Sequence, residues 1–307
     1  MPEPQSAALS EATSRLSAAG CVAAEEEAAE LAAAAKGDAE LLAALVERRT
    51  TGEPLAWITG ATQFCDCSVA ITAGVFVPRW QSERLAERAA ELLPSRGRAI
   101  DLGTGSGAVA MVLMARRPGA MVVGVESDPI AAQCARRNGV QVVEGDLFDP
   151  VPTTWKGTVD VIVAVLPYVP TAEIPYLPRD VPAFEPLVAL DGGSDGLSVV
   201  RRAVIESREW LRAGGHLLLE IGGDQPRVLI PVLELAGFGA IRVTVDEDGD
   251  PRGVEAVAEP QHPAKAREAL PINDGVGRLR GIEPDADAGG SQAESATRGG
   301  ADSARDE

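Results

Sequence analysis

The residues best placed to do chemistry lie in Asp101-Leu102-Gly103-Thr104-Gly105-Ser106-Gly107, where a predicted strand runs into a glycine-rich turn and then a helix. Glycines let a backbone come close to a cofactor, and a helix N-terminus offers N–H groups with no partner in the chain. Asp101, Gly103, Thr104, Gly105, Ser106 and Gly107 are therefore candidate cofactor-binding residues. Alone, GTGSGA also meets the loose GxGxxG/A pattern of dinucleotide sites, and a plain strand-to-helix turn would look the same. Two acids narrow the choice. Glu126 ends the next predicted strand in VVGVESDP, where a carboxylate accepts both hydroxyls of a ribose, whether of NAD or of S-adenosylmethionine. Asp146 follows the third strand in VVEGDLF, where a carboxylate accepts from an adenine amino group. A fourth strand ends in Val165-Leu166-Pro167-Tyr168. A Pro-Tyr directly after a buried strand breaks the ladder and exposes an aromatic face, so these four residues are the candidate acceptor wall.

Those residues need a frame, and residues 81–258 supply one by alternating helical and strand patterns. Helices are predicted over Gln81–Leu93, Ala108–Arg117, Pro129–Arg137, Ser198–Leu211 and Gln225–Ala236. Strands are predicted over Arg98–Leu102, Met121–Val125, Val140–Val143, Val159–Val165, His216–Ile221 and Ile241–Val245. Such alternation implies an α/β fold, a mostly parallel sheet with helices on both faces and ligands outside the carboxyl ends of the strands. The stretch from Pro167 to Pro186, with Pro170, Pro175, Pro178 and Pro182 between, predicts a shaped loop rather than a helix. Residues 1–60 read as a small helical domain, broken at Gly20 and Gly37-Asp38. Residues 61–80 read as a hairpin linker turning at Asp66. Residues 259–307, rich in Pro, Gly, Ala, Ser and mixed charge, read as a disordered acidic tail.

Composition bounds the partners. The net charge of −18 over 307 residues excludes a basic nucleic-acid surface over most of the protein, and a polybasic membrane patch with it. The N-terminus shows no basic and apolar signal-peptide pattern. Cys21, Cys65, Cys67 and Cys134 do not form a disulfide framework, and with only His216 and His262 no zinc ligand set is visible. Reduced thiols in a cytoplasmic, monomeric protein with no metal are the expectation. Trp57 and Phe64 read as packing between the helical and α/β parts, His216 as structural, and Glu220 as either site-facing or a hydrogen-bonded structural carboxylate.

The set of Asp101 with its glycines, Glu126 and Asp146 resembles a class I S-adenosylmethionine-dependent methyltransferase, with a Rossmann-like domain. From about Ala7 to Val257 the chain resembles, more narrowly, the HemK-type family of protein glutamine N5-methyltransferases, which modify the Gly-Gly-Gln loop of peptide chain release factors, in an actinobacterial-type branch. The resemblance rests on RTTGEPLAW (49–57), GVFVPR (74–79), the cofactor turn, FEPLVALDGGSDGL (184–197) and GGHLLLEIG (214–222) with Gln225. It implies S-adenosylmethionine as cofactor, a release factor as protein substrate, and a helical N-terminal domain that helps dock it. Three departures stand out. The family's acceptor motif is Asn-Pro-Pro-Tyr, and its asparagine holds the substrate amide; Val165 has no polar atom to do so. Trp80-Gln81 stands where the family has a proline and an acid, and Leu147 where many members place an aromatic near the adenine. Three readings follow: a glutamine methyltransferase, a methyltransferase with another acceptor, or a non-catalytic S-adenosylmethionine-binding interaction protein. An NAD-dependent dehydrogenase is the more distant fourth.

Overall fold

The computed structural model describes residues 4–178 and 180–260. Helices α1 (Pro4–Ala18), α2 (Ala24–Ala35) and α3 (Ala39–Thr50) close round an apolar cluster of Leu16, Ala28, Leu31, Leu45 and Val46. Asp38 starts α3 by accepting from the Glu40 and Leu41 N–H groups, both at 3.0 Å, two donors the helix cannot itself satisfy. The short α4 (Leu55–Thr59) follows. Its Leu55 and Ile58 join that cluster, whereas Ala56 belongs to the core of the α/β part. Strands β1 (Ala61–Phe64) and β2 (Cys67–Ala70) pair antiparallel across a Cys65-Asp66 turn.

After α5 (Glu83–Leu92) come β3 (Arg98–Leu102), α6 (Ala108–Arg116), β4 (Met121–Glu126), α7 (Pro129–Arg137), β5 (Val142–Glu144) and β6 (Val159–Ala164). Then follow α8 (Asp180–Phe184), α9 (Ser198–Trp210), β7 (Leu211–Glu220), α10 (Gln225–Leu235), β8 (Phe238–Val245) and β9 (Pro251–Ala258). Among the described residues one sheet has seven strands, in the order β5-β4-β3-β6-β7-β9-β8, parallel except where β9 meets β7 and β8. From β3 the order runs out to β4 and β5 on one side and to β6 and β7 on the other, so the winding reverses between β3 and β6. That reversal opens a crevice at the strand ends. Alternate residues feed two cores: Ile100, Leu102 and Ile162 face α9 and α10, while Ala99, Val161 and Val163 face α5 and α6. This is the Rossmann-like α/β architecture that the sequence predicts.

The differences are local. The strand predicted at Val140–Val143 begins at Val142, because the Val140 N–H closes α7 on the Ala135 carbonyl at 3.1 Å. The strand predicted at Ile241–Val245 begins at Phe238, ahead of a register shift where Ala240 has φ +47. The sequence reading did not anticipate β9, and β7 begins at Leu211 rather than His216. The proline-rich stretch is not all loop: Asp180–Phe184 is helical. Pro182 sits in its first turn, where no intrahelical N–H bond is lost. The expected disordered tail lies, beyond Pro260, outside the described residues. Among the described residues no helix is long and apolar enough to cross a membrane.

Candidate active site

A cleft of about 290 Å³ opens at the carboxyl ends of β3, β4, β5 and β6, beside the reversal in winding. Gly103, Gly105, Glu126, Asp146 and Leu147 line one part of it, and Val165, Leu166, Pro167 and Tyr168 another. The sequence-predicted residues that do not line it lie beneath the turn. Asp101, Thr104 and Ser106 are buried, and Gly107 caps α6.

Those buried residues brace the turn. Asp101 Oδ2 accepts from the Thr104 hydroxyl at 2.6 Å and from the Ala110 N–H at 3.1 Å. Burial pushes the Asp101 carboxyl up to about 7, against the pull of those two bonds. The Thr104 N–H donates to the Val125 carbonyl at 3.0 Å, tying the turn to β4. Glu126 binds the turn from above. Its Oε2 accepts from the Gly105 N–H at 2.9 Å, and its Oε1 from the N–H groups of Ser127 and Asp128 at 2.8 and 2.9 Å. A carboxylate so fixed keeps lone pairs for hydroxyl donors entering the cleft. A side chain at Gly105 would meet no atom nearer than 3.9 Å and would occupy open space, so the turn leaves room that a Cβ would fill. Asp146 is half exposed and pairs with Arg202 of α9 at 2.7 Å. Leu147, buried beside it, takes a left-handed conformation at φ +45.

The acceptor wall is held from behind. The Tyr168 hydroxyl donates to Glu220 Oε1 at 2.9 Å, at the end of the neighbouring strand β7. Burial pushes the Glu220 carboxyl up, with the Ser82 and Tyr168 hydroxyls and the Arg252 charge opposing. Gln225 Nε2 donates to the Tyr168 carbonyl at 2.7 Å, and Gln225 Oε1 accepts from the Gly222 N–H at 3.0 Å. The stretch from 184 to 197 folds back along the wall, with the Val169 N–H on the Leu190 carbonyl at 3.0 Å and the Gly192 N–H on the Val169 carbonyl at 2.9 Å. Glu185 of that stretch, buried, accepts from Arg79 Nη2 at 2.7 Å, which fastens it to the 74–79 segment. Trp57 does pack between parts: its indole donates to the Val75 carbonyl at 2.9 Å, and its ring meets Phe184 edge-on at 6.4 Å. Phe64 is buried in the same core, and His216 sits in β7 with Nδ1 3.4 Å from Glu255.

Val165 is part-buried against apolar neighbours, and a small cavity of about 50 Å³ on its flank is ringed by Ser82, Asp101 and Thr104. Several residues of the site were not singled out from the sequence, Arg202 and Phe76 among them. Arg202 reaches the cleft because Val199 and Arg202, one helical turn apart at the start of α9, both face it. Phe76 lines the cleft from the segment after the hairpin. The i, i+3 spacing after GSDGL was the only available sign of Arg202. Among the described residues no three His, Cys, Asp or Glu side chains gather as a metal would need.

Comparison with known proteins finds release factor glutamine methyltransferases among the relatives of this chain. The chain is 38% identical over 216 residues to a release factor glutamine methyltransferase of Geobacter sulfurreducens, covering 68% of this chain and 75% of that one. It is 36% identical over 231 residues to the release factor glutamine methyltransferase of Gloeobacter violaceus, covering 71% and 80%. For that of Bradyrhizobium diazoefficiens the figures are 35% over 231 residues, 72% and 78%. Among solved structures, the hMettl16 catalytic domain in complex with a 3′UTR hairpin superposes with a TM-score of 0.50 at 16% identity, over 70% of this chain and 84% of that one, a likeness of fold. No family model matches the chain.

Proposed function

The chain belongs to the release factor glutamine methyltransferase family, and from that premise we propose that it moves a methyl group from S-adenosylmethionine to a glutamine side-chain nitrogen in the Gly-Gly-Gln loop of a peptide chain release factor. The observation that carries this reading is a single cleft that joins the glycine turn and Glu126 to the Leu166-Pro167-Tyr168 wall. The donor set suits the cofactor. Glu126 has carboxylate lone pairs for ribose hydroxyls, Gly105 leaves backbone exposed where a Cβ would intrude, and Asp146 with Leu147 stands where an adenine would lie. When bound, S-adenosylmethionine supplies an electrophilic methyl group on a sulfonium.

The chain's own part is orientation and exclusion of water. A glutamine nitrogen is a poor nucleophile, so holding its amide in line is the chain's main task. As the N–C bond forms, the methyl–sulfur bond would break to leave the thioether, and the nitrogen would give up one proton to solvent. The Leu166 carbonyl and the Tyr168 ring would orient the amide. Glu220 fixes the Tyr168 hydroxyl and Gln225 fixes its carbonyl, which holds the ring in one place. Buried Leu166 and the returning stretch at Pro186 and Leu190 wall the site from solvent. Residues 1–60 would serve as the docking module and residues 61–80 as its linker.

One observation favours a second reading. Val165 packs among apolar groups where the family asparagine would hold the amide, which suits a methyl acceptor other than glutamine. Calorimetric titration with S-adenosylmethionine, then mass spectrometry of a release factor incubated with both, separates the two. Binding with one methyl added to the Gly-Gly-Gln peptide supports the first. Binding without it supports the second, and no binding removes both.

A further inference from the structure

Away from the cofactor cleft, Arg84, Arg88, Arg242 and Arg252 gather round a groove of about 510 Å³ between α5 and the antiparallel edge of the sheet. In a chain of net charge −18, four cations on one groove call for a reason. Two are already matched: Arg88 pairs with Glu255 at 2.8 Å and Glu91 at 3.0 Å, and Arg252 with Asp246 at 2.7 Å. Among the described residues the other two pair with no carboxylate. Arg84 donates only to the Val245 carbonyl at 3.1 Å. Arg242, exposed on β8, acts on Glu255 only through space. Trp80 stands at the rim, 70% exposed. Its ring stacks on no other aromatic or cation among the described residues.

The groove is joined to the acceptor wall through the sheet. Gly253, which lines it, is the β-ladder partner of Glu220, and the Arg252 charge acts on both Glu220 and Tyr168. Its outer side is β8, the last strand of the sheet, with Val243 and Val245 exposed. We propose that this groove docks an extended acidic segment of the protein acceptor, distinct from the loop that carries the glutamine. Arg84 and Arg242 take its carboxylates, and Trp80 covers its apolar or aromatic side chains. This rests on the acceptor being a protein, as argued above. A nucleic acid fits less well, because phosphate binding scales with the number of cations that replace counterions, and among the described residues two of the four here are unmatched, beside Asp246 and Glu255.

The test uses the full chain and two methyl acceptors, an intact release factor and a short synthetic peptide carrying only the Gly-Gly-Gln loop. The double variant Arg84→Glu/Arg242→Glu, and separately Trp80→Ala, should raise KM for the intact factor about tenfold with kcat unchanged, since such charges act on encounter and salt dependence. KM for the short peptide and affinity for S-adenosylmethionine should stay as they are, which also shows the variants are folded. The unaltered protein's KM for the intact factor should rise with salt, and the double variant's should not. An unchanged KM in both variants overturns the groove and leaves the proposed function standing. If the unaltered protein methylates neither acceptor, the proposed function fails. The groove is then read by fluorescence anisotropy with a labelled glutamate-rich peptide and an oligothymidylate of equal length. Peptide binding that the double variant abolishes sustains the groove; preference for the oligonucleotide, or binding of neither, overturns it.

Discussion

At the scale of single residues, Val165 and Asp101 make opposite demands on the site. Val165 gives the acceptor no hydrogen bond, and the polar groups near its flank are committed, since Asp101 and Thr104 bond each other at 2.6 Å. One good hydrogen bond to the amide is worth about 1–3 kcal/mol, or roughly fivefold to over a hundredfold in rate. Val165→Asn should therefore raise kcat on a Gly-Gly-Gln peptide by about fivefold or more. Single-turnover kinetics would check it, and an unchanged rate would mean that the amide is oriented by the Leu166 carbonyl and Tyr168 alone. Asp101 keeps a carboxyl in apolar surroundings, with its pKa pushed up to about 7. In the folded protein it holds a proton between about pH 4 and pH 7 that the unfolded chain has released, so stability falls as pH rises through that window, by up to about 4 kcal/mol. Asp101→Asn keeps the partners of Oδ2 and removes the titration. Urea unfolding from pH 5 to pH 8 should show a steeper fall in stability in the unaltered protein than in the variant, which keeps the contribution of other buried carboxyls such as Glu220; parallel slopes would contradict the assignment. The glycines, Asp101 and Glu126 were legible because their roles are local to a turn and a strand end. Arg202 and Glu185 were not, because their partners, Asp146 and Arg79, lie 56 and 106 residues away.

Among elements, the glycine turn separates two jobs that the sequence runs together. Gly105 and Gly107 both have positive φ, +57 and +86. A Cβ on Gly105 would point into open cleft, whereas one on Gly107 would stand 2.8 Å from Val140 Cγ2 and 3.1 Å from Ala135 Cβ. Gly107→Ala should thus lower stability by about 2–4 kcal/mol through crowding and left-handed strain combined. Gly105→Ala should cost only about 1–2 kcal/mol in stability and yet weaken S-adenosylmethionine binding at least about tenfold by filling cofactor space. Thermal melts beside calorimetric titrations would check the pair, and equal effects on both readouts would show that the turn does not divide in this way. Strand and helix types were legible from periodicity over most of 81–258, but ends were not. The Val140 N–H prefers the end of α7 to the sheet, and Ala240 breaks the alternation inside β8. That break hides the pairing of β8 with β9, whose buried Val254, Glu255 and Ala256 look from sequence like a short mixed run.

For the whole molecule, the sheet and its reversal between β3 and β6 follow from the alternation of elements, but the join to the N-terminal helices does not. That join is α4. Leu55 and Ile58 pack with α1–α3, Ala56 packs with the α/β core, and Thr59 donates to Glu30 of α2 at 3.0 Å. Three short helices round a core of leucine, valine and alanine, about 50 residues, are marginal alone. Their folding is therefore expected to couple to the larger core through α4. None of the four tryptophans, Trp57, Trp80, Trp155 and Trp210, lies in α1–α3, so fluorescence reads the larger part while far-UV circular dichroism reads both. In the unaltered protein the two unfolding curves should coincide at one midpoint. Ile58→Ala removes the side chain that ties α4 to the helices and should cost about 1–2 kcal/mol, less than a fully buried site because Ile58 is only half-buried. In that variant the helical signal should be lost at lower denaturant than the tryptophan signal. Curves already split in the unaltered protein would show that α1–α3 unfold as a unit of their own and that α4 is a tether rather than a joint.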